Sequence, residues 1–99
     1  MLSLSYASLY ILSFLVPVAI KPLTRNTTVN ETDPIHLRCD ASGHPAPTVT
    51  WKKGGQLRQP GSVFHITRSS RRDSGRYVCE ASNIVDKAEM ETFVTVSCK

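Results

Sequence analysis

The feature that most constrains this chain is a two-residue alternation of apolar and polar side chains. The segment "IHLRCDA" places Ile35, Leu37 and Cys39 on one side and charged or polar residues on the other, as in a strand with one buried face. Similar short runs, separated by Gly, Pro, Asp and Asn, recur from about Val18 onward, and none keeps the 3.6-residue period of a helix. The sequence therefore predicts an all-β domain.

The chain has 99 residues, enough for one such domain. Residues 2–20 carry no charge, and their densest apolar part, residues 9–16, has the length of a signal-peptide core rather than a membrane span. We expect residues 1–19 to be a cleavable signal peptide, residues 20–97 to form the domain, and residues 98–99 to be a tail or truncated linker. Because no Lys or Arg precedes the apolar core, a retained N-terminal anchor or a wrongly assigned chain start is the alternative.

Cysteines and glycosylation sequons indicate the same compartment as the leader. Cys39, Cys79 and Cys98 in a small secreted chain predict one disulfide and one cysteine left over. N-x-Thr sequons begin at Asn26 and Asn30. Spaced by four in an extended strand, both asparagines face the same way, and glycans there would block edge-to-edge pairing. We therefore expect a secreted protein, or one on the extracellular side of the cell surface, with no membrane span after cleavage.

The spacing of the cysteines and one tryptophan resembles that of a known family. Trp51 follows Cys39 by 12 residues, and Cys79 follows Cys39 by 40 residues. "CDASGHPAPTVTWKKGG" is similar to a B-strand, Pro-rich turn and C-strand passage, and "DSGRYVCEASN" resembles an F-strand signature. Over residues 17–96 the chain resembles an immunoglobulin-like domain of the intermediate (I-set or C2) type, as in adhesion and matrix proteins. The matching residues are Cys39, Trp51, Asp73, Gly75, Tyr77 and Cys79.

The resemblance implies a two-sheet antiparallel sandwich with one inter-sheet disulfide, Cys39–Cys79. Trp51 is then expected to pack on that bridge, and the Tyr77 hydroxyl to bond back to the backbone as a tyrosine corner. Gly75 is expected to permit the tight approach of the corner, and Asp73 to bond turn amides or pair with an arginine. Because only 12 residues separate Trp51 from Phe64, the C′/D edge is expected to be short, with "KKGGQLRQPGS" leaving little room for strands.

The chain shows no catalytic or metal-binding pattern. It has no nucleophile elbow, its three histidines lie in different segments, and its cysteines lack the close spacing of a metal site. A domain of this size also has little room for a deep pocket. We therefore predict no catalytic, metal or cofactor-binding residues and no enzymatic activity.

The predicted binding face is the sheet of strands C, around Trp51, F, around Cys79, and G, the last run "AEMETFVTVS". Its outward residues combine two apolar groups with charges of both signs, as adhesive interfaces do, and the resemblance implies that this sheet is commonly the contact face. We expect a protein partner, homophilic or another cell-surface or matrix protein, to bind here, away from the sequons. A spacer domain of a longer receptor or matrix protein is the alternative. The candidate face is Lys52, Arg76, Val78, Glu80, Glu91 and Phe93.

Positive charge is concentrated between residues 52 and 76, where seven basic residues accompany one acid. Such a cluster can bind sulfated, heparin-type glycans, although a solvated face without a partner fits as well. We predict no nucleic-acid binding, because the cluster contains few aromatic residues and no nucleic-acid motif. Cys98 leaves open a disulfide-linked partner. The candidate polyanion-binding residues are Lys52, Lys53, Arg58, Arg68, Arg71 and Arg72.

Overall fold

The fold is described from a computed structural model, which covers residues 15–21 and 26–98. The first 14 residues of the predicted leader, and Lys99, lie outside the described residues. These described residues form nine strands and one 3-10 turn, Arg71–Asp73. The strands are β1 Val16–Ile20, β2 Asn26–Asn30, β3 Ile35–Arg38, β4 Ala41–His44, β5 Thr48–Lys53, β6 Gln56–Pro60, β7 Val63–Ile66, β8 Gly75–Ser82 and β9 Lys87–Ser97.

The strands form two layers, which confirms the predicted all-β sandwich. One layer is a five-stranded sheet in the order β2-β9-β8-β5-β6. Its strands are antiparallel except at the β2 edge, where β2 runs parallel to β9. The facing layer consists of two antiparallel pairs, β1 with β4 and β3 with β7.

A disulfide between Cys39 and Cys79 joins the two layers, as predicted. Both cysteines are fully buried, and Trp51 is the neighbour of Cys79 in the register between β5 and β8. The indole Nε1 of Trp51 donates a hydrogen bond to the carbonyl of Ser62, 3.1 Å away. The bridge is surrounded by apolar side chains that alternate inward along their strands, namely Ile35, Leu37, Phe64, Tyr77, Val94 and Val96.

Tyr77 forms a corner at the start of β8. Its hydroxyl donates to the carbonyl of Asp73 at 2.7 Å, while its ring lies 5.2 Å from that of Phe64. The Asp73 carboxylate accepts a hydrogen bond from the Ser70 backbone N–H at 2.8 Å and so caps the 3-10 turn. Gly75 has a φ of +145°, and a side chain there would meet Lys53 at 3.2 Å. The signature "DSGRYVCEASN" thus contributes a capped turn, a corner and a buried strand.

The β5–β6 hairpin corrects the expectation that residues 52–62 leave little room for strands. Only Gly54 and Gly55 form the turn, with φ values of +61° and +78° that favour glycine. Residues on both sides remain paired, and β6 contributes five residues to the sheet. The edge is nevertheless short, because the described residues between Pro60 and Val63 form no further strand.

The first strand begins four residues before residue 20, the predicted start of the domain. Val18 is buried, and β1 pairs with β4 along its length with one irregularity. Gly43 on β4 allows this approach, because a Cβ there would lie 3.2 Å from the carbonyl oxygens of Val16 and Pro17. The uncharged segment assigned to a leader therefore overlaps a strand of the sandwich at residues 16–19.

We predict that a domain beginning at Lys21 is less stable than one beginning at Leu15. Loss of β1 exposes the core beneath Val18 and leaves β4 unpaired, which costs about 2–3 kcal/mol. Urea unfolding of the two proteins, followed by Trp51 fluorescence, measures the difference. Equal unfolding midpoints would show that β1 is dispensable.

Tyr77 should make the domain sensitive to alkali. Burial, followed by the nearby Asp73 carboxylate and opposed by Arg58, raises the pKa of Tyr77 to about 12. Because the unfolded chain ionises this tyrosine near its usual pKa of about 10, the stabilisation is complete below pH 10 and is lost between pH 10 and 12. The two-unit difference corresponds to about 3 kcal/mol.

The comparison of wild type with Tyr77→Phe isolates this effect. At pH 7 the substitution costs about 1 kcal/mol for the lost hydroxyl bond, and this deficit should shrink and then reverse above pH 11. Urea unfolding at pH 7, 10 and 11.5, with Cys98→Ser in both proteins to prevent thiol exchange, gives the readout. Parallel pH profiles would contradict the prediction.

Candidate binding surface

The six residues of the candidate face lie together on the outer surface of the five-stranded sheet. Strand register places Arg76 beside Phe93, and Val78 between Glu91 on β9 and Lys52 on β5. Glu80 continues the row of outward residues along β8. The inward neighbours on that strand, including Cys79, belong to the core. One strand therefore presents scaffold on one face and the candidate surface on the other.

Ion pairs flank the two apolar groups of this face. Lys52 Nζ lies 3.1 Å from Glu80 Oε2, and Lys87 Nζ lies 3.4 Å from the same oxygen. Arg76 and Glu91 form a second pair. The hydrogen bond from Lys52 is the main reason that the pKa of Glu80 is lowered. Glu80 is therefore ionised at physiological pH, and the face carries paired charges around its apolar centre.

Phe93 is the principal exposed apolar group of the face. Its side chain is 44% exposed, whereas Val78 is half-buried between its charged neighbours. A shallow hollow of about 240 Å³ lies beside them and is lined by Arg76, Val78, Glu89, Met90 and Glu91. The hollow has the depth of a contact surface, not of an enclosed ligand pocket.

The expectation that this face lies away from the sequons is wrong. Strand β2 joins the same sheet beside β9, and Asn26 is the register partner of Phe93. Asn30 lies four residues farther along, opposite Ser97. Both asparagines are exposed. The sequence pattern oriented them correctly toward solvent, but the parallel pairing that places them beside Phe93 joins segments about 67 residues apart and has no local signal.

The candidate polyanion-binding residues do not form one patch. Lys52 belongs to the outer face with Glu80, and Arg71 pairs with Glu31 at 3.1 Å. Arg72 is exposed on the 3-10 turn. The other three, Lys53, Arg58 and Arg68, line a cleft at the opposite edge of the sheet, between β6 and β7.

Sequence reasoning missed an exposed apolar loop between β8 and β9. Ile84 is 83% exposed and Val85 is 41% exposed. Asn83 holds this loop, because its Oδ1 accepts from the backbone N–H groups of Val85 and Asp86 at 2.9 Å. Its Nδ2 donates to the carbonyls of Val16 and Pro45. Two adjacent aliphatic residues inside a turn sequence, "SNIVDK", were the available signal.

Two histidines and Cys98 are further residues of the described chain that could carry chemistry. His36 and His65, distant in sequence, stack across β3 and β7 with ring centres 4.2 Å apart. Within residues 15–21 and 26–98, no three His, Cys, Asp or Glu side chains are placed to hold a metal ion. Cys98 is exposed and unpaired, with its Sγ 3.5 Å from a Glu31 carboxylate oxygen. In the same part of the chain, no helix has the length and apolar character needed to cross a membrane.

Comparisons with known proteins agree with this architecture. A family model described as an immunoglobulin domain matches residues 17–83. Human Hemicentin-1 is 34% identical over 97 residues, covering 86% of this chain and 2% of that protein. The mouse basement membrane-specific heparan sulfate proteoglycan core protein is 38% identical over 76 residues, covering 72% of this chain and 2% of that protein. The chain thus spans a small fraction of the length of these relatives.

A solved structure of a complex shows the same fold. In Dpr11 IG1 bound to DIP-gamma, the matching chain superposes with a TM-score of 0.76 at 28% identity, covering 84% of this chain and 49% of that one. Immunoglobulin domains are typically non-enzymatic binding modules of adhesion and matrix proteins. From the family match, the shared sandwich and the buried disulfide, we conclude that the chain belongs to the immunoglobulin-domain family.

Proposed function

We propose that this chain is an extracellular protein-binding module that binds its partner through the outer face of β5, β8 and β9. The observation that carries the proposal is the exposure of Phe93, 44%, on the outer sheet surface beside the Arg76–Glu91 ion pair. An exposed aromatic group next to paired charges is typical of protein interfaces, where aromatic residues and Arg are enriched. The Dpr11 complex supports the proposal, because there a domain of similar fold is bound to another protein.

The ion pairs give this face a defined charge pattern. On either side of Val78 lie an acidic and a basic side chain, Glu91 and Lys52, each already paired within the chain. A partner that buries Phe93 therefore meets charges in fixed positions, which favours one orientation of docking. The binding energy itself is expected to come mainly from the aromatic side chain. The partner is a second copy of this chain or another cell-surface or matrix protein.

The location proposed for this function is outside the cell. The predicted leader, the two exposed sequons and the buried disulfide each fit an oxidising, secretory route. We propose that Asn26 and Asn30 carry N-linked glycans. Because β2 is an edge strand of the sheet, glycans there would also hinder edge-to-edge pairing with another sheet.

Loss of the Phe93 ring should abolish binding without unfolding the domain. We expect Phe93→Ser to weaken self-association at least tenfold, about 1.4 kcal/mol, and Val78→Lys to weaken it as well. Sedimentation velocity measures self-association, and beads coated with the protein and mixed with cultured cells test binding to other surfaces. Cys98→Ser in every protein prevents a disulfide-linked dimer from mimicking association.

Ile84→Ser is the matched control, because it removes another exposed apolar side chain from the neighbouring loop. The proposal requires Phe93→Ser to abolish binding and Ile84→Ser to preserve it. The reverse result would place the contact on the β8–β9 loop. Binding unchanged by either substitution, with wild-type unfolding midpoints, would place the contact on another surface, whereas absence of any binding by the wild-type protein would support a spacer role.

A glycan on Asn26 should shield Phe93 on the side of β2 and leave the side of β8 open to a partner. The two residues are register partners on the same exposed face, whereas Asn30 is farther along β2 by about 13 Å. We expect acrylamide to quench a Phe93→Trp reporter more strongly when the Asn26 glycan is absent, with Trp51 contributing little because it is buried.

Two variants remove the Asn26 glycan in different ways. Asn26→Gln replaces the acceptor, and Thr28→Ala keeps Asn26 but destroys its sequon. Both should raise quenching of the reporter, while Asn30→Gln, which removes the other sequon, should leave quenching unchanged. An equal effect of all three substitutions would argue against local shielding by the Asn26 glycan.

A further inference from the structure

The short β6–β7 edge leaves the sandwich open on the side opposite β2. Since no strand follows β6 among the described residues before β7, a cleft of about 470 Å³ opens there. The Gln59 side chain crosses this gap, with Oε1 accepting from the backbone N–H of His65 at 3.1 Å. The cleft is thus a structural consequence of the short chain segment between Trp51 and Phe64. Its lining comes from both layers, and the Gln59–His65 hydrogen bond links β6 to β7 across it.

Most of the unpaired positive charge of residues 52–76 gathers at this cleft. Three of the seven basic residues in that segment have carboxylate partners, namely Lys52, Arg71 and Arg76. The other four are Lys53, Arg58, Arg68 and Arg72, and the first three line the cleft. Within the part of the chain that the structure describes, neither Arg58 nor Arg68 has a carboxylate within ion-pair distance.

Lys53 is positioned at the wall of the cleft. Its ammonium donates to the Arg72 carbonyl and lies 5.3 Å from the centre of the Tyr77 ring. Asp73 is the one acidic residue in the lining, and its carboxylate is engaged by the Ser70 backbone and hydroxyl. The lining therefore keeps a net positive charge, with two guanidinium groups free to take an anion.

We propose that this cleft is a binding site for sulfated glycans of the heparan type. Guanidinium groups bind sulfate and carboxylate oxygens through paired N–H donors, and a linear sulfated chain offers such groups at regular intervals. In the lining, Phe64 and Tyr77 are buried in the core and the His65 ring stacks on His36, which leaves little aromatic surface for stacking on bases. This favours a sulfated glycan over a single-stranded nucleic acid.

The site is separate from the proposed protein-binding face. In the sheet order β2-β9-β8-β5-β6, the cleft borders the β6 edge, whereas Phe93 lies on β9 beside β2. Strands β8 and β5 lie between Phe93 and the cleft, and on β5 the successive residues Lys52 and Lys53 belong to the outer face and to the cleft lining, respectively. A glycan and a protein partner can therefore occupy the domain together, and failure of one proposal leaves the other untouched.

Two double variants with the same change in net charge test the site. Arg58→Gln with Arg68→Gln removes both free guanidinium groups, while Arg38→Gln with Arg71→Gln removes two guanidinium groups that already have carboxylate partners. In the full secreted chain at 0.15 M NaCl, we expect the first double variant to lower the affinity for a heparin dodecasaccharide at least tenfold. A loss of this size corresponds to roughly one charge-assisted hydrogen bond. The second should stay within about twofold of wild type. Isothermal titration calorimetry gives the affinities.

A measurement on the wild-type chain removes any dependence on folding of the variants. Titration with the dodecasaccharide should shift the backbone amide resonances of Arg58, His65 and Arg68, and leave those of Phe93 and Val78 in place. A single-stranded oligodeoxynucleotide of matched charge should bind at least tenfold more weakly. Equal losses in the two double variants, equal binding of the oligonucleotide, absence of binding at 0.15 M NaCl, or shifts confined to β8 and β9 would each overturn the proposal.

Discussion

The covalent link between Cys39 and Cys79 is the constraint on which the rest of the structure depends. It closes a loop of 40 residues and joins the layer containing β3 to the central strand β8 of the other layer. A loop of this length is worth roughly 4 kcal/mol on a chain-entropy estimate, a large share of the 5–15 kcal/mol typical of a domain. Antiparallel pairing with β8 places β5 beside it, with Trp51 next to Cys79 in the register.

Fixing β8 also fixes the surface of the sheet. Side chains alternate along a strand, so that burying Tyr77 and Cys79 directs Arg76, Val78 and Glu80 outward. A slip of one residue would expose half of the bridge and bury a salt-bridged glutamate, which is strongly unfavourable. The chemistry of the outer face is therefore determined by the same contacts that stabilise the core, and surface substitutions there can change binding without disturbing packing.

The sequence was sufficient for features that depend on local pattern. The alternation around Cys39 and Cys79 predicts buried strands, and the resemblance to immunoglobulin-like domains implies the sandwich and its bridge. Two local features were misleading for physical reasons. Residues 16–19 are uncharged and follow a hydrophobic run, so a strand there resembles the end of a leader, and two consecutive glycines shorten the β5–β6 turn so that flanking residues remain paired.

Features that depend on pairing between distant segments could not be predicted from the sequence. The approach of Asn26 to Phe93 requires the parallel register of β2 and β9, and the neutralisation of Arg71 requires Glu31, 40 residues earlier. Counting basic residues along the chain therefore overstated the size of the cationic surface. Only the folded arrangement separates the paired cations from Arg58 and Arg68, which share the cleft lining with Lys53.

The two edges of the five-stranded sheet meet the same physical problem in different ways. An exposed edge strand offers unpaired backbone groups to other sheets. At the β2 edge, the glycans proposed on Asn26 and Asn30 would hinder pairing with another sheet. At the β6 edge, Pro60 lacks a backbone donor, and Arg58 adds charge. Arginine and proline are sufficient to protect that edge, so edge protection explains the charge of Arg58. It does not explain why Arg68, which follows β7 in the chain, lines the same cleft. A bound anionic ligand accounts for both arginines.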